Sequence, residues 1–419
     1  LMATTEWNHS DFPGGVAVNL RLGLRPDDPE QRKRVAQLVR VFLERGGFEL
    51  QVNSVSVAAL EDAMVHPEAH ADLLVRVGGY SDFFVRQSPQ LQREIVAQGE
   101  LISTHMVTGY MEEQGLDAAL LSAFDFMRIN AHGDPELDTI REGLTATLEK
   151  TGRHDIYITQ GFICLNNNGE IDNLKRGGSD FTASLVGAAL KAEEIQIWTD
   201  IDGMHNNDPR VVEKTEAVHQ LHFEEAAELA YFGAKILHPT CVQPAKYAGI
   251  PVRIKNTMDP EADGTVINNQ LNRGKIKAVA AKDNITAIKI KSSRMLLATG
   301  FLRKVFEIFE NYSTPIDMIT TSEVGVSVSI DKNTHLPQIV DELKKYGTVT
   351  VDQDMCIICV VGDLEWNNLG FESLATDAMR DIPVRMISYG GSNYNISFLI
   401  READKKRALQ NLSAELFNK

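Results

Sequence analysis

The sequence predicts an α/β protein: a layered domain built on a parallel sheet, an α+β segment ahead of it, and two smaller strand-and-helix units behind it. Three observations predict this. Leu174-Lys175-Arg176-Gly177-Gly178-Ser179-Asp180-Phe181-Thr182-Ala183 leads into a helix-like run, Ser184 to Lys191, and then a strand-like run, Ile195 to Asp200. A strand-helix-strand-strand pattern occurs twice between Lys277 and the C-terminus. The length, 419 residues, suits about three domains.

The glycine stretch is where the chemistry concentrates. Without Cβ atoms at Gly177 and Gly178, a ligand can approach the backbone N–H groups closely. Ser179 and Asp180 are candidate caps for the helix start, where free N–H groups and the dipole favour phosphate or carboxylate. Arg176 offers a planar fork suited to a carboxylate. Turn, helix and return strand point to a nucleotide or small-anion site at one end of a parallel sheet. R-G-G-S-D by itself is equally an ordinary glycine turn before a helix.

Charge and composition exclude some classes. With 42 Lys+Arg against 58 Asp+Glu, the net charge is −16, which disfavours nucleic acid and anionic membranes as main partners. No apolar run of 18 residues occurs, so no membrane span is expected. Four cysteines are too few for a disulfide scaffold and suit a reducing cytoplasm. Leu1 to His9 lacks a basic-plus-apolar leader, and its abrupt start looks like that of a fragment.

In chain order, a helical pattern runs from Asp28-Pro29-Glu30 to about Arg45, with Val35, Leu38, Val39 and Phe42 on one face. Phe48 to Ser54 alternates like a strand, and a second helix spans Val57 to Val65, capped by Ser56. Then comes Arg76-Val77-Gly78-Gly79-Tyr80-Ser81-Asp82-Phe83. With Gly46 to Asn53, this stretch resembles the C-terminal domain of glycyl radical enzymes over most of residues 12–96. By that resemblance Gly79 would carry the radical, with Arg76, Tyr80 and Ser81 supporting the loop. The cysteine and barrel that such enzymes need are missing, since no cysteine precedes Cys164. An inert or orphaned module is therefore expected, and a spare part for a separate radical enzyme is one function it could serve.

From residue 97 the resemblance changes. Gly99-Glu100-Leu101-Ile102-Ser103-Thr104, Gly161-Phe162-Ile163, R-G-G-S-D-x-T-A, Trp198-Thr199-Asp200, Asp208-Pro209-Arg210 and Phe223 to Pro239 are similar, in order and spacing, to aspartokinases. The resemblance runs to the C-terminus and implies a three-layer amino-acid kinase domain followed by two ferredoxin-like ACT domains. The expected divisions are 1–96 (radical-domain-like), 97–275 (partial kinase), 276–352 and 353–419 (ACT). No Gly/Ser/Pro linker marks the seam near residue 96, so a joined or chimeric sequence is one expectation.

Carried over residue by residue, Arg176 would hold the α-carboxylate of aspartate. Gly177, Gly178 and Ser179 would line its pocket, and Glu100 and Asp180 would meet its ammonium group. Thr199 and Asp200 would contact the nucleotide, with His205 where the family commonly has Tyr. Arg210 and Lys235, with Ile236 beside it, would face ATP phosphates. Asp180 and Lys235 are the expected catalytic residues. The implied reaction moves a phosphoryl group from ATP, bridged by Mg²⁺, to the β-carboxylate of aspartate; no protein metal site is expected. The family's opening K-F-G-G-T-S does not occur among residues 1–99. The kinase domain is therefore expected to lack its first third and to show little or no activity.

The C-terminal strands and helices follow the ACT pattern: strands over Lys277 to Lys291, a helix from Phe301 to about Tyr312, and strands at Ile316 to Ile319 and Val324 to Ile330. The second round has strands at Met355 to Val361, Val384 to Ser388 and Ile396 to Ile400, with helices from Phe371 and Asp404. Resemblance places an amino-acid effector, lysine by the pattern, against Met295, Phe301, Leu302, Asp317 and Ser322, and implies a homodimer through the ACT domains. A regulatory protein that binds lysine without catalysis is the competing expectation. Cys356 and Cys359, three apart on a strand, point to opposite faces, which argues against a zinc pair.

Overall fold

A computed structural model describes the backbone at residues 17–21, 33, 36–37, 39–40, 49–53, 57–77, 80–174, 177–233, 240–292 and 300–417. The chain divides into two compact units at Gly178/Ser179.

In the first unit, β1 (Ala17–Arg21) pairs in parallel with β2 (Glu49–Asn53). Helix α1 (Val57–Val65) follows and buries Leu60 and Ala63. The helix expected over 28–45 falls mostly outside the described residues. A hairpin, β3 (Leu74–Val77) and β4 (Tyr80–Phe83), sets Val77 opposite Tyr80; Gly78 and Gly79 themselves lie outside the described residues.

Helix α2 (Pro89–Glu113) begins at Ser88, whose hydroxyl accepts from Leu91 N at 3.3 Å. Pro89 stands at the first turn, where its missing N–H costs nothing. The helix runs unbroken through residues 96 and 97. Strand β5 (Ala118–Leu121), helices α3 (Ala123–Phe126) and α4 (Leu137–Thr151), and β6 (Ile156–Thr159) form a crossover in which β5 and β6 are parallel. A hairpin of β7 (Ile163–Leu165) and β8 (Ile171–Asn173) leads to the glycine loop.

Helix α5 (Gly178–Leu190) starts earlier than expected. Ser179 and Asp180 therefore sit inside its first turn rather than at its cap, Asp180 being the turn's acidic residue. Glycine at 177 takes φ +68°, which an L side chain rarely adopts.

The second unit carries two sheets. Strands β9 (Ile195–Thr199), β10 (Gln220–His222), β11 (Val252–Asn256) and β12 (Thr265–Asn268) order as β10-β12-β11-β9. Pairs β9–β11 and β10–β12 are parallel, but β11–β12 is antiparallel, so the sheet is mixed rather than parallel throughout. Helix α6 (Phe223–Tyr231) opens on a reciprocal cap: His222 Nδ1 accepts from Glu224 N at 3.2 Å, and Glu225 accepts from His222 N at 2.7 Å. Helix α7 (Gln243–Ala248) ends at Gly249, φ +70°.

The larger sheet orders as β14-β15-β13-β16-β18-β17. Its strands are β13 (Ile276–Lys291), β14 (Met318–Ser322), β15 (Gly325–Ile330), β16 (Thr348–Gly362), β17 (Val384–Tyr389) and β18 (Asn395–Arg401). Helices α8 (Phe301–Asn311), α9 (Leu336–Leu343), α10 (Phe371–Ala378) and α11 (Lys405–Leu416) connect or follow them. Both long strands serve two halves of this sheet: Thr286 to Lys291 pairs with β15, and Met355 to Val361 with β18.

The second half of β16, Met355 to Val361, shows why its sequence is apolar without a break. Cys356, Ile358 and Val360 join the core under α10 and α11, while Ile357, Cys359 and Val361 join the core shared with β9–β12 and α6. Both faces are buried, so both phases of the period-2 alternation are apolar. Each fully buried Ile or Val contributes about 1.5–3 kcal/mol. Cys356 and Cys359 thus occupy opposite faces, as their spacing requires.

Candidate active site and amine cluster

In the first unit, Glu100 sits midway along α2, half-buried, and burial raises its carboxyl above the ordinary range. Thr104, one turn on, donates its hydroxyl to Glu100 O at 2.8 Å. The same hydroxyl accepts from Gln160 Nε2 at 2.9 Å, and Gln160 Oε1 accepts from Ala123 N at 2.8 Å. Two residues beyond Gln160, Phe162 holds φ +68° and is buried. Its ring packs where a side chain at 178 would go: a Cβ on Gly178 would stand 2.5 Å from Phe162 Cδ2. Gly178 is therefore required by packing as well as by any ligand. Arg176 lies outside the described residues.

In the second unit, Ser179 is exposed and Asp180 half-buried, with its carboxyl raised by burial. Thr199 ends β9, its hydroxyl donating to Asp200 Oδ1 at 3.1 Å, and Asp200 is exposed. His205 is held on both ring nitrogens, Nδ1 at 2.8 Å from Thr215 Oγ1 and Nε2 at 2.8 Å from Asp202 Oδ1. That hydrogen bond is the leading cause lowering the Asp202 carboxyl. The ring is an in-plane hydrogen-bonding group here, fixed by partners that the sequence reading did not single out.

Arg210 was expected to face phosphates. Its guanidinium instead forks onto Asp208, at 2.9 Å to Oδ1 and 2.8 Å to Oδ2, with its side chain 85% exposed. The hydrogen bonds from Arg210 hold Asp208 below the usual carboxylate range. Lys235 and Ile236 lie outside the described residues.

The expected effector residues have different settings. Phe301 is buried in the core with Ile288, Ile290 and Val305, and so acts as packing. Leu302 is partly exposed, and Ser322 Oγ reaches Gly325 O at 3.5 Å. Met295 lies outside the described residues. Asp317, its side chain 1% exposed, binds the Lys282 ammonium at 2.6 Å and accepts from Tyr231 Oη at 2.9 Å. Lys282 also reaches Asp331 at 2.9 Å and stands 4.5 Å from the Tyr231 ring centre. Burial opposes the charge on Lys282, but hydrogen bonds to the two carboxylates prevail and raise its pKa. Burial raises Asp317. Asp317 Oδ2 and Asp331 Oδ1 are buried with no hydrogen-bond donor among the described residues. Lys282 and Asp331 carried no motif, Tyr231 fell within the Phe223 to Pro239 stretch without a role, and only proximity in the fold reveals the three together.

A mixed α/β sheet entered through a glycine loop at a helix start defines the class, and the comparisons agree. The amino acid kinase family matches residues 28–256, and an ACT domain family matches residues 358–416. The chain is 32% identical over 415 residues to lysine-sensitive aspartokinase 3 of Escherichia coli, covering 96% of this chain and 90% of that one. It is 35% identical over 345 residues to chloroplastic aspartokinase 1 of Arabidopsis thaliana, covering 77% and 60%. The crystal structure of E. coli aspartokinase III with aspartate and ADP superposes at a TM-score of 0.71, with 31% identity over 94% of this chain and 88% of that one. This chain belongs to the aspartokinases.

The kinase-family match begins at residue 28, inside the segment ascribed above to a glycyl radical domain, and the aspartokinase match takes in nearly the whole chain. The glycyl radical reading, Gly79 included, is not supported. Neither is the loss of a first third of the kinase.

Proposed function

We propose that this chain transfers the γ-phosphoryl group of ATP to the β-carboxylate of L-aspartate, giving an acyl phosphate and ADP, under control by an amino-acid amine, lysine first. The observation that carries this reading is the Gly177–Gly178 turn opening α5, with Gly178 packed on Phe162. It stands in a chain similar to an enzyme crystallised with aspartate and ADP, and also with lysine and aspartate.

Arg176 receives the α-carboxylate and the Gly177–Gly178 backbone lines the pocket. Glu100 and Asp180 face the ammonium group, where burial strengthens an ionic contact. Thr199, Asp200 and His205 meet the nucleotide. Arg210 exchanges Asp208 for phosphate, and Lys235 supplies a mobile positive charge. Asp200, exposed at a strand end, offers the hard oxygen that Mg²⁺ prefers, and the ion would neutralise charge on the transferring group.

At the regulatory end, the Oδ2 of Asp317, without a hydrogen-bond donor among the described residues, suits an effector ammonium. Residues 276–352 and 353–419 form the two ACT units, joined through β16, and in this reading they pair in a homodimer in the cytoplasm.

Calorimetry tests the reading: L-aspartate binds in the presence of ADP and Mg²⁺ while L-glutamate binds weakly, and lysine binds without nucleotide. Equal indifference to aspartate and lysine would remove the proposal.

A further inference from the structure

Gln160 is 1% exposed and fully engaged. It follows directly on β6 and ties three segments together. Its carbonyl caps the first N–H of α3, at Ala123, which Ser122 leaves uncapped. Its NH₂ donates to Thr104, whose hydroxyl closes onto the carbonyls of Glu100 at 2.8 Å and Leu101 at 3.1 Å. The main chain then turns through Phe162 in the left-handed region, onto Gly178. One buried carboxamide therefore stands between the helical turn that carries Glu100 and the aromatic ring that shapes the glycine loop.

We propose that Gln160 and Thr104 are positioning residues for aspartate, fixing Glu100 and the Phe162–Gly178 contact relative to each other. The inference rests on the aspartate-binding reading above. Thr104 is the hinge of the arrangement because its single hydroxyl is at once acceptor for Gln160 and donor to the α2 backbone. A buried carboxamide deprived of this acceptor has to find another partner, and in turning it releases the Glu100 turn, the Ala123 cap, or both.

The test compares Thr104→Val, of nearly equal shape, with Thr104→Ser, which keeps the hydroxyl. Steady-state kinetics give KM for L-aspartate and for ATP, and urea unfolding gives the midpoint. Thr104→Val is expected to raise the aspartate KM about tenfold, the usual scale for loss of a supporting hydrogen bond, with the ATP KM within about twofold and Thr104→Ser close to the parent. A general loosening would move both KM values together and lower the urea midpoint in step, which overturns the proposal. An unchanged aspartate KM in folded Thr104→Val also overturns it. Should Thr104→Val not fold, Gln160→Glu serves: its carboxylate still accepts from Ala123 but cannot donate to Thr104, so the aspartate KM, taken as a ratio to that of the parent chain at the same pH, rises at neutral pH and returns towards one as the carboxyl is protonated. A KM that does not change with pH in this way counts against the proposal. Failure of the parent chain to bind aspartate at all removes the underlying reading instead.

Discussion

The ring of Phe162 occupies the space that a side chain at Gly178 would need, 2.5 Å from its Cδ2 and 3.1 Å from its Cα. The first contact could be relieved by moving a ring; the second involves backbone already held at φ +68°. Gly178→Ala is therefore expected to destabilise the chain by about 1–3 kcal/mol, seen as a lower urea midpoint, and to raise the aspartate KM. An alanine variant with unchanged stability and KM would mean that the ring does not set the loop.

Glu100 and Asp180 supply a pH prediction. Burial raises both carboxyls, so they take up protons at a higher pH than exposed carboxylates do. Aspartate affinity should be full at pH 8 and fall as pH drops through these raised values, measured by calorimetry. The stability effect has the opposite sign. A raised carboxyl contributes stability that is fully present below its unfolded pKa and lost as pH rises through the folded one. Glu100→Gln should flatten that loss and weaken aspartate binding at pH 8.

Lys282 bridges the buried Asp317 and the partly exposed Asp331. Removal of its charge leaves Asp317 uncompensated, so Lys282→Met is expected to cost about 3–5 kcal/mol, and adding Asp317→Asn should recover part of it. Urea unfolding of the two single variants and the double variant closes the cycle. Tyr231→Phe, which removes only a donor to Asp317, should shift the lysine response while leaving the aspartate KM in place.

Arg210 is largely exposed and bound to Asp208. Arg210→Lys loses the planar fork, so the ATP KM should rise several-fold without a change in urea midpoint. Asp208→Asn, which frees the guanidinium, should move the ATP KM in the other direction. Kinetics at fixed aspartate measure both.

Much of this was legible from local pattern. The apolar run at Met355 to Val361 reads as a strand because both of its faces are buried. The R-G-G-S-D stretch announces a turn and a helix because glycine at φ +68° has few substitutes. What the sequence concealed depends on partners far along the chain. The partner of Asp317 is Lys282 on another strand, and Gln160 meets Thr104 across 56 residues. The clamp on Arg210 comes from Asp208, only two residues away, but nothing in D-P-R says whether its arginine turns inward to its own loop or outward to a ligand. At the N-terminus, R-V-G-G-Y-S is a short motif of the kind that matches easily; the glycyl radical reading it prompted is not supported, and the amino acid kinase match begins at residue 28.

The central claim is tested most directly by aspartyl hydroxamate formation from the 419-residue chain with ATP, Mg²⁺, L-aspartate and hydroxylamine, with and without lysine. The account predicts aspartate-dependent product whose formation is suppressed by lysine. A folded chain that forms no hydroxamate at any aspartate concentration would contradict it.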